Sequence, residues 1–103
     1  MGLLDRLFGR KIERIQIASR EPIGSFRVED VFRVMGRHVL VGEVLGGVIY
    51  PGYKVKGEGV AEIYKIQMER REVEFAISGD RVALILEGSL KARKGDVLEV
   101  YRA

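Results

Sequence analysis

Apolar and polar positions alternate along most of this chain. From Phe26 to Val55 the sequence reads FRVEDVFRVMGRHVLVGEVLGGVIYPGYKV, runs of β-branched and aromatic residues cut by Gly36-Arg37, Gly46-Gly47 and Pro51-Gly52. A period of two interrupted by glycine and proline is the signature of strands joined by tight turns. The pattern predicts strands at 25–35, 38–46, 53–57, 60–69, 73–77, 80–87 and 96–101. Short strands without helical crossovers between them imply an antiparallel barrel or sandwich rather than a parallel sheet. In the 60–69 run, strict alternation puts Val60, Glu62, Tyr64, Ile66 and Met68 on one face, and Ile63, Lys65 and Gln67 on the other. The 80–87 run has Val82, Leu84 and Leu86 on one face, with Ala83 and Ile85 making the other apolar as well. Such a strand needs a cover on its outer side.

The first ten residues, MGLLDRLFGR, follow a different period. Leu3, Leu4, Leu7 and Phe8 fall on one helical face, with Asp5, Arg6 and Arg10 opposite. A short amphipathic helix is expected here, followed by a basic connecting stretch broken at Pro22 and Gly24. The apolar run is too short for a secretory signal, and Arg6 stands where a myristoylation signal needs Ser or Thr. A helix this short is marginal in water until something packs on it. Its Leu/Phe face has three possible seats: the barrel in cis, which includes the outer side of 80–87, a groove on a partner protein, or a membrane surface.

Composition narrows the picture. The chain has 103 residues, enough for one domain. This divides into 1–24, helix and connector, and 25–103, barrel. A fraction of 47% hydrophobic and 32% charged residues suits a globular protein, and no apolar run approaches the roughly 18 residues of a membrane span. Cysteine is absent, which removes disulfides and thiolate metal sites and fits a cytoplasmic location. His38 is the single histidine, so neither a His-based metal site nor a two-imidazole relay can be built. It is expected on the surface beside a turn. No G-x-x-x-x-G-K-[ST] loop is present, which excludes a phosphate-loop GTPase. No metal, cofactor or catalytic residue is expected, and the reading is of a protein that is not an enzyme. The net charge of +3 permits an anionic partner without requiring one.

Three motifs in order resemble domain II, the β-barrel of translational GTPases such as elongation factor Tu. The family pattern I-E-D-V-F is matched by Val28-Glu29-Asp30-Val31-Phe32, and its Gly-Arg turn by Gly36-Arg37. The run from Val39 to Val44 and Gly47-Val48-Ile49-Tyr50-Pro51-Gly52 to Val55 continue the pattern, with one residue fewer before Gly42 than is usual. Ser78-Gly79-Asp80-Arg81-Val82-Ala83-Leu84-Ile85-Leu86-Glu87-Gly88 is similar to A-G-[DE]-x-V-[AG]-[LV]-x-L-x-G, and Lys94-Gly95-Asp96-Val97-Leu98 to R-G-[DQ]-V-L. The resemblance covers about Phe26 to Tyr101. It implies an all-β fold, an antiparallel β-barrel of the translation-protein type, here with the short N-terminal amphipathic helix added. Small archaeal tRNA-binding barrel proteins that stand alone are the type most similar to this chain.

Function then reduces to binding. Basic residues cluster at Arg33, Arg37 and His38, at Lys65, Arg70 and Arg71, and at Lys91, Arg93 and Lys94. In translational GTPases domain II helps hold the aminoacylated 3′ end of tRNA and faces ribosomal RNA. The resemblance therefore implies an RNA ligand, tRNA first, and carries an E-M-x-R segment onto Gln67-Met68-Glu69-Arg70, with Arg81 after the following turn. On that carry-over Arg70 and Arg81 grip phosphate, Gln67 reads a ribose or base edge and Met68 lies against an adenine. Arg37, His38, Lys91 and Lys94 complete the expected RNA contacts. The alternative is an adaptor that grips a translation-related protein through Leu3, Leu4, Leu7 and Phe8 or a barrel groove; a membrane anchor ranks third. Nothing in the sequence marks the oligomeric state.

Overall fold

The computed structural model describes residues 21–102. The expected helix, with its docking residues Leu3, Leu4, Leu7 and Phe8, lies outside the described residues. Nine strands follow in order: β1 (Gly24–Val34), β2 (Arg37–Gly46), β3 (Val48–Ile49), β4 (Lys54–Gly57), β5 (Gly59–Met68), β6 (Arg71–Val73), β7 (Ala76–Ile77), β8 (Arg81–Glu87) and β9 (Val97–Tyr101). Six of them pair antiparallel in the order β4-β9-β1-β2-β8-β5, and a further β4–β5 pairing closes the ring. The result is a closed six-stranded barrel, in which every barrel strand has a partner on both sides. β6 extends β5 beyond the ring, and β3 pairs with β7 in a separate two-stranded flap.

Every barrel strand contributes to the core. Phe26, Leu40, Val44, Val55, Ile63, Ile66, Leu84, Leu86, Leu98 and Val100 are all buried, with Ile49 and Ala76 added from the flap. Among the described residues no polar or charged side chain is buried as a whole. The core is therefore held by apolar packing inside a ladder that satisfies the backbone.

Besides an irregularity at Leu45, where Ser25 lies opposite Gly46 and Phe26 opposite Val44, two bulges set which residues face inward. Val28 lies opposite Gly42 and Asp30 opposite Val41, so Glu29 is the extra residue in β1. Phe26 and Val28 point into the barrel before it, and Val31 packs on the core after it. In β5, Ile63 lies opposite Leu86 and Lys65 opposite Ile85, leaving Tyr64 extra. The inward residues are thus Ala61 and Ile63, then Ile66 and Met68. This corrects the strict alternation expected for 60–69: Val60 and Tyr64 face solvent, because one inserted residue reverses the parity of everything before it.

The other departures are short-range. The expected strand at 73–77 divides into β6 and β7, since the chain leaves β5 and crosses to β3 after Val73. β3 itself, two residues between Gly47 and Pro51, lies where the sequence pattern predicts only a turn region. β8 behaves as expected: Val82, Leu84 and Leu86 are inside, while Ala83 and Ile85 are half-buried on the outer face. There Ile85 sits between Val39 of β2 and Lys65 of β5.

Candidate nucleic-acid interface

The pairing register divides the expected site residues between the two ends of the barrel. Val34 opposite Arg37 marks the tip of the β1–β2 hairpin, and Glu43 opposite Arg81 lies far down the same ladder. The tip shares its end with the β4–β5 turn, which bridges to Lys91 through Glu58, and with the closing loop between β8 and β9. Arg81 and the β5–β6 turn occupy the opposite end, since Gln67 pairs with Ala83.

At the hairpin end two chain segments, the hairpin and the closing loop, bring cations together. The closing loop is pinned to β1 at its bulge: the Gly95 N–H donates to the Val28 carbonyl at 2.7 Å, and the Val28 N–H donates to the Asp96 carbonyl at 2.8 Å. The Asp96 carboxylate also accepts the Arg93 N–H at 2.9 Å, which caps the turn that carries Lys94. Two clefts open here, sharing His38. One, of about 630 Å³, is mixed in charge, with Lys91 and Arg93 facing Glu58 and Asp96. The other, of about 420 Å³, lies between the hairpin tip and Gly88-Ser89; Arg33, Arg37 and His38 line it and no carboxylate does. Lys94 lines neither cleft and stands exposed on its turn.

His38 is half-buried rather than simply on the surface, which corrects its expected placement. An Arg33 guanidinium N–H lies 2.7 Å from His38 Nε2. A guanidinium can only donate, so Nε2 supplies the lone pair and the ring proton resides on Nδ1. Nδ1 is buried and has no hydrogen-bond partner among the described residues. Arg37 lies with its guanidinium carbon 4.2 Å above the Tyr64 ring, and Glu87 approaches it at 3.7 Å. Both members of that ion pair are largely solvated, so the attraction is screened and Arg37 remains available to another anion. Tyr64 reaches Arg37 because the β5 bulge turns it outward, a relation invisible to strict alternation. Arg33 and Arg93, members of the basic clusters in the sequence, join the site together with Ser89, which the sequence did not single out; spacing along the chain does not reveal which turns meet.

The second expected group is only partly assembled. Gln67 and Arg81 share the outer face, two ladder positions apart, and the β5–β6 turn that holds Arg70 follows alongside. Arg70 is therefore in a turn, just past the strand expected over 60–69. Met68, the inward neighbour of Gln67, is half-buried and packs against the core. Arg81 donates to Glu29 at 3.0 Å, while Arg27 lies 3.9 Å from Glu29 and 2.6 Å from Glu43. Two arginines are thus matched by two glutamates on this face. Glu69 and Arg70 are both in the left-handed region, with φ of 53° and 68°, as a two-residue hairpin connection of the primed type requires. Neither is glycine, and the strain of each is about 1 kcal/mol. Arg70→Gly is expected to raise the melting temperature by roughly 4–8 °C; an unchanged or lower value would mean that the Arg70 side chain makes a compensating contact.

Among the described residues no group of His, Asp and Glu is arranged to hold a metal ion, and no helix is long and apolar enough to cross a membrane.

Comparison with known proteins agrees with this architecture. The family described as elongation factor Tu domain 4 matches residues 21–99. The probable translation initiation factor IF-2 of Caldivirga maquilingensis is 38% identical over 77 residues, covering 68% of this chain and 13% of that protein. Its counterpart from Pyrobaculum calidifontis is 32% identical over 77 residues, with 69% and 13% covered. The chain therefore spans only about 13% of the length of these relatives. Among solved structures, GDP-bound aIF5B from Aeropyrum pernix is similar with a TM-score of 0.68 and 34% identity, over 85% of this chain and 16% of that one. Apo elongation factor SelB from Methanococcus maripaludis gives 0.65 at 23% identity over 74% and 18%, a likeness of fold alone.

Proposed function

The chain belongs to the elongation factor Tu domain 4 family, a barrel of the translational GTPases, and on that premise we propose that it is a non-enzymatic RNA-binding module. Its relation to translation factors of the IF-2 and aIF5B kind is direct. The finer reading is that it binds tRNA, with ribosomal RNA as the second candidate, and acts in the cytoplasm. The motifs resemble domain II whereas the matching family is domain 4, and both are barrels of translational GTPases.

One observation carries the RNA reading: Arg33 and Arg37 from the hairpin and Lys91 and Arg93 from the closing loop converge on one barrel end. Cations gathered from separated segments onto one rigid surface are the footprint of a phosphate backbone. The opposite end supports it less, because Arg81 already answers Glu29.

The test is tRNA binding across a salt series. Arg37→Ala combined with Lys91→Ala is expected to weaken binding and flatten the log–log salt slope by roughly one to two units, one for each phosphate no longer neutralised. Arg70→Ala with Arg81→Ala should change both less. If the second pair carries the loss instead, RNA sits at the other end of the barrel. Absence of binding to tRNA and ribosomal RNA at low salt would remove the RNA function itself.

A further inference from the structure

We infer that the smaller cleft at the hairpin tip is a site for a single phosphate group, gripped by Arg33 and Arg37, with His38 as the positioning residue that fixes Arg33. The inference rests on the RNA reading for the source of the phosphate, but its geometry stands separately. Arg33, Arg37 and Ser89 line this cleft and no carboxylate residue does, Glu87 touching Arg37 from outside it at 3.7 Å. Planar forks of N–H donors suit the tetrahedral oxygens of phosphate better than point charges do, because each can give two parallel hydrogen bonds.

Arg33 has no carboxylate partner among the described residues; its partner is a neutral imidazole nitrogen. A close salt bridge to a carboxylate ties up part of an arginine's charge, although the solvated Arg37–Glu87 contact at 3.7 Å does so only weakly. One held by a neutral acceptor keeps its whole charge and loses only its freedom, the state a preorganised anion site needs. The imidazole is itself incompletely satisfied, with its Nδ1–H buried and unpaired among the described residues. Native structures seldom leave such a donor without a role, and here its orientation holds Nε2 toward Arg33. The neighbouring cleft lacks this character, since Glu58 and Asp96 face its Lys91 and Arg93. Charge alone would make the two clefts look alike; the carboxylates separate them.

The phosphate has two possible sources, a phosphodiester of RNA or a small phosphate-bearing molecule, and the experiment separates them. The intact chain, labelled with nitrogen-15, is titrated in separate arms with inorganic phosphate, a short unpaired oligouridylate and tRNA, following the Arg33 and Arg37 Nε–H and Ser89 amide signals. Inorganic phosphate and the oligouridylate are expected to shift all three. Arg33→Lys keeps the charge and is expected to weaken phosphate binding about tenfold, since it removes the fork. His38→Phe should lose binding similarly, while His38→Gln, whose side-chain oxygen can accept from Arg33, should recover it. Should Arg33→Lys fail to fold, Arg37→Lys at the exposed hairpin tip makes the same comparison.

Phosphate binding with the expected variant pattern, but without tRNA binding, upholds the site and overturns the RNA reading. Binding of tRNA while phosphate and oligouridylate leave the three signals unmoved overturns the site and leaves the RNA reading intact. Equal phosphate affinity for Arg33→Lys and the parent also overturns it, because a diffuse positive field would then suffice.

Discussion

Replacing Gly42 with alanine is expected to destabilise the barrel by about 3 kcal/mol or more, a large share of the roughly 5–15 kcal/mol that holds a domain together. Gly42 faces inward opposite Val28, where the β1 bulge presses the two backbones together. A Cβ there would fall deep inside the Arg27 carbonyl oxygen, 2.9 Å from its carbonyl carbon and 3.0 Å from the Phe26 ring. The ring could give way, but the carbonyl belongs to a strand paired on both sides, with β2 and with β9, and cannot move without breaking a ladder. Thermal unfolding followed by circular dichroism should show a fall of roughly 10–20 °C. Gly36→Ala is the contrast: its Cβ would meet open space, and only the left-handed φ of 80° would oppose it, at about 1 kcal/mol. Equal losses at the two glycines would mean that the obstruction at Gly42 is relieved by relaxation.

Phe26→Ala is expected to cost about 3–5 kcal/mol, from lost burial plus the cavity left behind. Phe26 is fully buried and is the largest side chain of the core. Its strand is paired on both sides, so the surroundings cannot collapse into the space. Urea midpoints at unchanged slope would measure the loss, and Phe26→Leu should recover most of it. Because Phe26 lies against Gly42, the two sites are coupled in an informative way. If the ring were the main obstacle to a side chain at position 42, Phe26→Leu would rescue Gly42→Ala. The proximity of the Arg27 carbonyl leads to the opposite expectation, a double variant no more stable than Gly42→Ala alone.

The strands were legible because Phe26, Val28, Leu40, Val44, Val82, Leu84 and Leu86 keep a period of two over most of their length. Gly36, Gly79 and Gly95, all at positive φ, punctuate them where the chain turns. Bulges were not legible: Glu29 and Tyr64 are ordinary strand residues, and only the partner strand reveals that each is one too many. That single blind spot accounts for the reversed face of Val60 and Tyr64 and for the unexpected stacking of Arg37 on Tyr64. β3 was missed for another reason, since two residues carry no period and their partner β7 lies almost thirty residues later. The site followed the same division. Arg37, His38 and Lys91 were found as local concentrations of charge, but their meeting around one barrel end depends on loop closure. The half-burial of Met68 against the core was not legible, because the family motif carries residue types and not the inward or outward sense of a side chain.

Closure of the ring also dictates the order in which the molecule can be made. β1 finds its first partner in the adjacent β2, a pairing between neighbours in sequence that forms early. Its other edge waits for β9, with Gly24 meeting Val100 across nearly the whole described chain. β4 likewise takes β9 on one side. During synthesis from the N-terminus, both strands therefore carry an open row of amides and carbonyls until the last strand leaves the ribosome. Pairing at such sequence distance is slow, on the order of milliseconds to seconds. Throughout that interval the edges of β1 and β4 are templates for another nascent chain, a vulnerability that the finished barrel no longer has.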